Sequence, residues 1–181
     1  MDSVKTMNYS AFVKTLEQEM AIYAAYHRDP RNRATHFLGV PLIMLALLVP
    51  LSLHRFELAG FSVTPAMLVA AALLAYYFVL DFALAVAMLV VLGALIWLAE
   101  LLAAGGAAHA WIWFGAAFVG GWILQLVGHV FEGRKPALVD NLFQIFIAPI
   151  FLCAEVFFAL GLRSGLRSAV QARAVSHGSG N

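Results

Sequence analysis

The chain has 181 residues, 63% of them hydrophobic and only 12% charged, with a mean hydropathy of +0.87. Soluble domains carry about 25% charged residues, and one core of this size cannot hide so much apolar surface, whereas a bilayer solvates it; composition excludes a soluble domain. The formal net charge of +1 gives no basis for nucleic-acid binding, and a single cysteine, Cys153, excludes an intramolecular disulfide and a cysteine-based zinc site.

Residues 8–27 read as an amphipathic helix. Phe12, Leu16, Met20, Tyr23 and His27 recur at spacings of four, four, three and four, which is one face of a 3.6-residue repeat. This helix is expected on the membrane surface or as a cap on the bundle. Asp29-Pro30 ends it, because proline disfavours helical geometry in the residue before it. The first 35 residues are polar and of mixed charge, so the apolar run after them reads as a retained anchor rather than a cleaved signal.

Four apolar stretches follow, predicting spans at about 36–53, 64–80, 82–103 and 109–130. The second and third form one long apolar block interrupted by Asp81. A crossing needs only about 20 residues, so the block is two spans with a tight turn at the acid. Ala116, Gly120 and Gly121 in the fourth stretch are small enough to let helices approach closely. Region 137–162 is broken by Asp140, Asn141, Gln144, Pro149 and Glu155, predicting a re-entrant or interfacial hairpin, with a fifth span as the alternative. Residues 163–181 form a basic, then Gly/Ser-rich tail, expected to be unstructured at its end. The expected architecture is a single all-α membrane domain, 1–181, of four transmembrane helices with an amphipathic helix before them.

Basic residues set the orientation. Lys5, Lys14, Arg28, Arg31 and Arg33 precede the first span, Arg134 and Lys135 follow the fourth, and Arg163, Arg167 and Arg173 follow the last segment. The loops at 54–63 and 104–109 hold only Arg55. Four crossings put the basic segments on one side, which is expected to be cytoplasmic.

That topology gathers the chemistry. His27, His36, Asp81, His129, Glu132 and Asp140 come from separate parts of the chain and fall at the cytoplasmic end, while His54 and His109 fall at the other end as ordinary loop residues. Gln125, His129 and Glu132 share one helix face. Ionisable groups at membrane depth are costly and face a bundle interior, a partner or water. Taken singly, each histidine is an ordinary interfacial side chain; as a set, His27, His36 and His129 suit a metal ion, with imidazole and carboxylate the usual ligands of redox-active iron. Arg28, Arg31, Arg134 and Lys135 suit a substrate carboxylate, guanidinium doing so through two parallel hydrogen bonds, or serve as plain positive-inside anchors. Asn32 caps the loop or lines the site.

The runs YHRDPRNRATHFLGVPLI (26–43) and GWILQLVGHVFEGRKPALVDNLFQIFIAPIFLCAEVFF (121–158) resemble the two signature regions of a family of 2-hydroxy fatty acid dioxygenases. Its fungal member acts in the endoplasmic reticulum, converting phytosphingosine-derived 2-hydroxy acids to odd-chain fatty acids. The resemblance implies an Fe(II)-dependent α-oxidation, in which a long-chain 2-hydroxy fatty acid and molecular oxygen give the acid one carbon shorter and carbon dioxide. It carries the motif histidines onto His27, His36 and His129 as metal ligands, with Glu132 and then Asp140 as the carboxylate that joins them. Arg28, Asn32, Gln125, Arg134, Lys135 and Asn141 are the candidate substrate-contacting residues. The implied location is the bacterial inner membrane or the endoplasmic reticulum, with the site at the cytoplasmic face.

Two rival readings stand beside it. Membrane di-iron desaturases and hydroxylases need about eight histidines in HxxHH-type boxes, and this chain has six histidines, none adjacent or four apart. A non-catalytic membrane transporter or scaffold would use the acids for protons or helix contacts.

Overall fold

The computed structural model describes residues 15–133, 136 and 142–178, with side chains as far as 175. Within these residues the chain is a bundle of seven helices and one small hairpin. The elements are α1 (Leu16–Ala25), α2 (Pro30–Leu51), β1 (Phe56–Leu58), β2 (Phe61–Val63), α3 (Pro65–Leu80), α4 (Phe82–Ala103), α5 (Ala107–Glu132), α6 (Gln144–Ala159) and α7 (Ser164–Gly178). Three helices, α2, α4 and α5, are long and apolar enough to cross a membrane; α3 and α6 are apolar but shorter. Val90, Ile112 and Val130 stand exposed on α4 and α5, an apolar exterior that hydrocarbon solvates and water does not. The chain is a membrane protein.

Helix starts are written in the sequence. Thr15 caps α1 in a capping box with Gln18, satisfying two otherwise orphaned donors. Asp29 caps α2 through the Arg31 amide at 2.8 Å, with Pro30 at the first helical position, where a missing N–H costs nothing. Helix α2 therefore begins six residues before the expected span, taking in the polar turn 30–35. Thr64 and Pro65 repeat the device at α3. Asp81 ends α3, and its carboxylate accepts from the Leu84 amide at 3.0 Å to start α4, so the acid does sit at a tight turn.

Two segments differ from their sequence-based description. The loop 54–63 contains the antiparallel pair β1–β2, turned by Ala59 and Gly60, both at positive φ, the geometry that matches strand twist in a two-residue hairpin. The tail contains α7, which packs on α1, because Leu166, Val170 and Ala174 lie four apart and bury one stripe. The last residues, 179–181, lie outside the described part, as do residues 1–14 and with them the 8–14 portion of the expected amphipathic helix.

Two apolar clusters hold the bundle. One, near the α1 end, joins Met20 and Tyr23 of α1 with Tyr77, Leu84 and Met88 and with Ile150 and Phe151 of α6. The other, at the hairpin end, joins Leu48 and Val49 with Ala66, Ala99 and Ala110, and the Arg55–Glu100 pair at 3.0 Å ties that end. Helix α6 is fastened to the opposite end at several points. Gln144 donates to Glu19 of α1 at 2.7 Å, Arg33 in the second turn of α2 pairs with Glu155 at 3.1 Å, and Arg163 just beyond α6 pairs with Asp81.

Candidate metal centre

The site is made where α2 and α5 run antiparallel in close contact. Closeness comes from glycine. A Cβ on Gly121 would meet Ile43 and the main chain of α2, one on Gly39 would meet Gln125 and the Gly121 carbonyl, and one on Gly128 would collide with the Thr35 hydroxyl and the Asn32 side chain. Small residues at such crossings let backbones approach. Gly128 precedes His129, so this approach delivers the His129 ring against His36. Helix α5 then stops: Gly133 takes the left-handed conformation (φ 67°) and its amide returns to the His129 carbonyl, which satisfies the helix end.

His27, His36 and His129 meet there, and all three are buried, at 3%, 2% and 7% exposure. Each offers one ring nitrogen, and the three nitrogens lie within 4.8 Å of one another. Ring centroids are 4.6 Å apart for His27–His36 and 5.1 Å for each of the other two pairs. His27 Nδ1 is 2.7 Å from the Tyr23 carbonyl and His36 Nδ1 is 2.9 Å from the Asn32 carbonyl. A carbonyl only accepts, so both Nδ1 atoms carry the proton, and in a neutral imidazole the other nitrogen is then a bare lone pair. Those two Nε2 atoms face each other at 3.1 Å. Two lone pairs at that distance repel unless a cation lies between or beside them. His129 adds a buried Nδ1 with no hydrogen-bond partner. This donor set fits a metal ion, and the carbonyl contacts are the second-layer bonds that orient metal-binding imidazoles. Burial, followed by the neighbouring His36, pushes the His27 pKa down to about 3, so the ring is present as the neutral, ligating form. Tyr23 stacks on His27 with centroids 3.9 Å apart and planes 8° from parallel.

Glu132 is brought near this group, but its carboxylate is already engaged. Oε1 accepts from the Arg28 amide at 2.9 Å, and Oε2 accepts from the Asp29 amide at 2.8 Å and Asn32 Nδ2 at 3.1 Å. It pins the turn between α1 and α2, the turn that carries His27. Of the other sequence candidates, Asn32 is buried in this network, its Oδ1 without a partner, and Gln125 is buried one turn before His129. Arg28 is exposed and engaged here through its main-chain amide. Arg134, Lys135, Asp140 and Asn141 lie outside the described residues. His54 is exposed, and His109 bonds the Leu102 carbonyl at 2.8 Å and Trp113 at 3.0 Å at the far end.

A Glu132→Gln variant is expected to keep its fold and lose about 10- to 100-fold in metal affinity, the usual cost of disturbing an outer-layer partner. The glutamine has one acceptor oxygen where two amides now bond separate oxygens. Metal competition titration checks this; unchanged affinity would mean that the turn does not depend on the carboxylate.

The three rings stand at one end of a cavity of about 310 Å³. Its remaining lining is almost wholly apolar and runs down one face of α2 through Val40, Ile43, Met44 and Leu48 to Leu51, with Ala70 and Leu73 opposite. Gln144 lines it too, held by the buried Glu19 carboxylate. Neither Gln144 nor Glu19 was a site candidate from sequence, since their pairing spans 125 positions and no local pattern reports it. Chemically, three imidazoles can hold a divalent ion and leave positions open for further ligands, beside a compartment that excludes water from a long apolar group.

The fold and site thus define a membrane protein with a buried three-histidine centre opening on an apolar cavity. Residues 13–160 match the family model described as 2-hydroxy-palmitic acid dioxygenase Mpo1-like, and the chain belongs to this family. It is similar to the 2-hydroxy-palmitic acid dioxygenase MPO1 of Saccharomyces cerevisiae, with 30% identity over 159 residues, 86% of this chain and 87% of the relative. No solved structure matches it at a significant level.

Proposed function

We propose that the chain is an Fe(II)-dependent dioxygenase that shortens long-chain 2-hydroxy fatty acids by one carbon, and that it does so at the cytoplasmic face of a membrane it crosses four times, through α2, α3, α4 and α5. The observation that carries this is the pair of facing Nε2 atoms, joined by a third imidazole, at the head of an apolar cavity. Family membership and the relative's name support the substrate class.

The reaction balances without a co-substrate. A 2-hydroxy acid and one oxygen molecule give the shortened acid, carbon dioxide and water; the substrate loses four electrons and oxygen takes up four. His27, His36 and His129 would hold the iron, which would supply Lewis-acid binding of the substrate headgroup and redox chemistry with oxygen. Glu132 acts as a positioning residue by fixing the His27 turn, and Asp140 remains the candidate for a carboxylate ligand. Gln125 faces the headgroup from α5. Arg28, Arg134 and Lys135 are the candidates to draw in the carboxylate, with Asn32 and Asn141 as candidate polar contacts for it. The cavity below keeps the tail and the reacting carbon out of water.

The topology is supported by the ties of α6, which fasten it at Gln144, Glu155 and just beyond its end to the histidine end of the bundle. With its first residue, its last turns and the residues just beyond it all held at that end, α6 reads as an interfacial element rather than a crossing.

The test is purified protein in lipid nanodiscs, loaded with Fe(II) and given oxygen and carboxyl-labelled 2-hydroxypalmitic acid. The expected products are pentadecanoic acid and labelled carbon dioxide, at about one oxygen molecule consumed per acid, the stoichiometry of a dioxygenase with no second reductant. Absence of the shortened acid, or a requirement for 2-oxoglutarate, contradicts the proposal.

A further inference from the structure

The cavity changes character along its length. Near the histidines its α2 wall is buried: His36, Val40 and Ile43 are each exposed by less than a tenth. Further along, two lining residues are open to the outside, Leu47 on α2 at 44% and Val69 on α3 at 52%. These sit on neighbouring helices that touch each other little compared with the α2–α5 pair. With both lining residues reaching the outer surface and little packing between their helices, the wall there reads as a slot between α2 and α3 toward the hydrocarbon. Ile145 and Phe146 are also partly exposed, but they belong to α6 at the histidine end, beside the headgroup rather than the tail.

We infer that the acyl tail of the substrate leaves the cavity through the slot between Leu47 and Val69 into the bilayer, so that the site sets a minimum chain length and no maximum. This rests on the function proposed above and goes on to assign which residues govern chain length. Eleven residues separate His36 from Leu47, about 16 Å along the helix axis at 1.5 Å per residue. An extended chain with C–C bonds of about 1.52 Å at tetrahedral angles advances about 1.25 Å per carbon, so about 13 carbons reach the slot. Carbons beyond that point remain in hydrocarbon in both the free and the bound states. They gain nothing and cost nothing, because the transfer free energy of a methylene arises from leaving water.

The experiment measures binding of 2-hydroxy acids of 12, 16, 20 and 24 carbons in nanodiscs, by displacement of a fluorescent fatty acid. Affinities are expressed per mole fraction in the membrane so that partitioning cancels. Wild-type affinity is expected to stay within about threefold from 16 to 24 carbons, since the methylene transfer term is absent. In L47W/V69W, which closes the slot with indole rings, the 20- and 24-carbon acids are expected to lose at least about tenfold while the 12-carbon acid is unchanged, the usual scale of steric rejection in an apolar site. Both positions are already exposed, so the fold tolerates the change. L47W alone serves as a half-closed variant, and Leu89→Trp on the outer face of α4 controls for added indole surface. A sharp loss beyond 16 carbons in the wild type, or equal treatment of all lengths by L47W/V69W, overturns the slot. The two readings fail separately. If 2-hydroxy acids are turned over but the tryptophans impose no limit, the slot falls and the enzyme stands. If 2-hydroxy acids are not turned over while unsubstituted acids of the same lengths show the predicted limit, the slot stands and the activity falls.

Discussion

Replacing His36 with alanine is expected to empty the metal centre: bound iron falls from about one ion per chain to a small residue, and turnover of 2-hydroxypalmitic acid falls by at least about a thousandfold, since several kcal/mol of metal-derived stabilisation is forfeited. The physical reason is the arrangement of lone pairs. His27 and His36 each spend their only N–H on a main-chain carbonyl, and their Nε2 atoms then face each other at 3.1 Å. With one ring gone, two imidazoles remain and the third corner is open. His27→Ala and His129→Ala are expected to behave alike, because the three nitrogens form one group. His54→Ala and His109→Ala, at the hairpin end, are expected to keep full iron. Metal analysis of purified variants, with thermal unfolding in the absence of metal to show that each still folds, checks the set. Full iron in any one of the three site variants contradicts the ligand assignment.

A single added methyl group at Gly128 is expected to weaken the metal centre without touching a ligand. The new Cβ would collide with the Thr35 hydroxyl and Asn32 Oδ1 and press on His36 Nδ1. None of these is the far end of a long flexible chain: Asn32 is buried and fastened to Glu132, and His36 is bonded to the Asn32 carbonyl. Helix α5 must therefore move away from α2, taking His129 with it. Gly128→Ala is expected to destabilise the protein by about 1–3 kcal/mol, the range for overpacking, and to weaken metal binding by about 10- to 100-fold or more. Gly120→Ala is the control, since a Cβ there meets open space. Thermal unfolding with and without metal, together with competition titration, reads both effects. Wild-type affinity in Gly128→Ala would show that the helix crossing does not set the position of His129.

The grouping of the three histidines was legible from the chain because each lies beside the end of an apolar run, where helices folded back on one another bring distant positions together. Helix boundaries were legible where a cap is written in the residues, as at Asp29-Pro30, Thr64-Pro65 and Asp81. Glu132 was visible as a neighbour of His129 on one helical face, but its engagement with the Arg28 and Asp29 amides joins positions more than a hundred residues apart, and spacing along one helix says nothing about the loop it meets. The same holds for Glu19 and Gln144. Helix α7 escaped notice because its buried stripe is short and set among arginines and serines, so composition outweighed period. The hairpin turned on Ala59 taking a left-handed conformation, which alanine does not announce. The slot in the cavity wall depends on how tightly α2 and α3 pack, a property of the assembled bundle.

Whether three imidazoles hold one metal ion at this end of the bundle is read by X-ray absorption at the iron edge of the Fe(II)-loaded protein. The expected spectrum carries the multiple-scattering signature of imidazole with about three rings per iron, reduced in His27→Ala, His36→Ala and His129→Ala to the extent that any iron is retained. Iron bound without imidazole scattering, or a spectrum that none of the three substitutions alters, would contradict it.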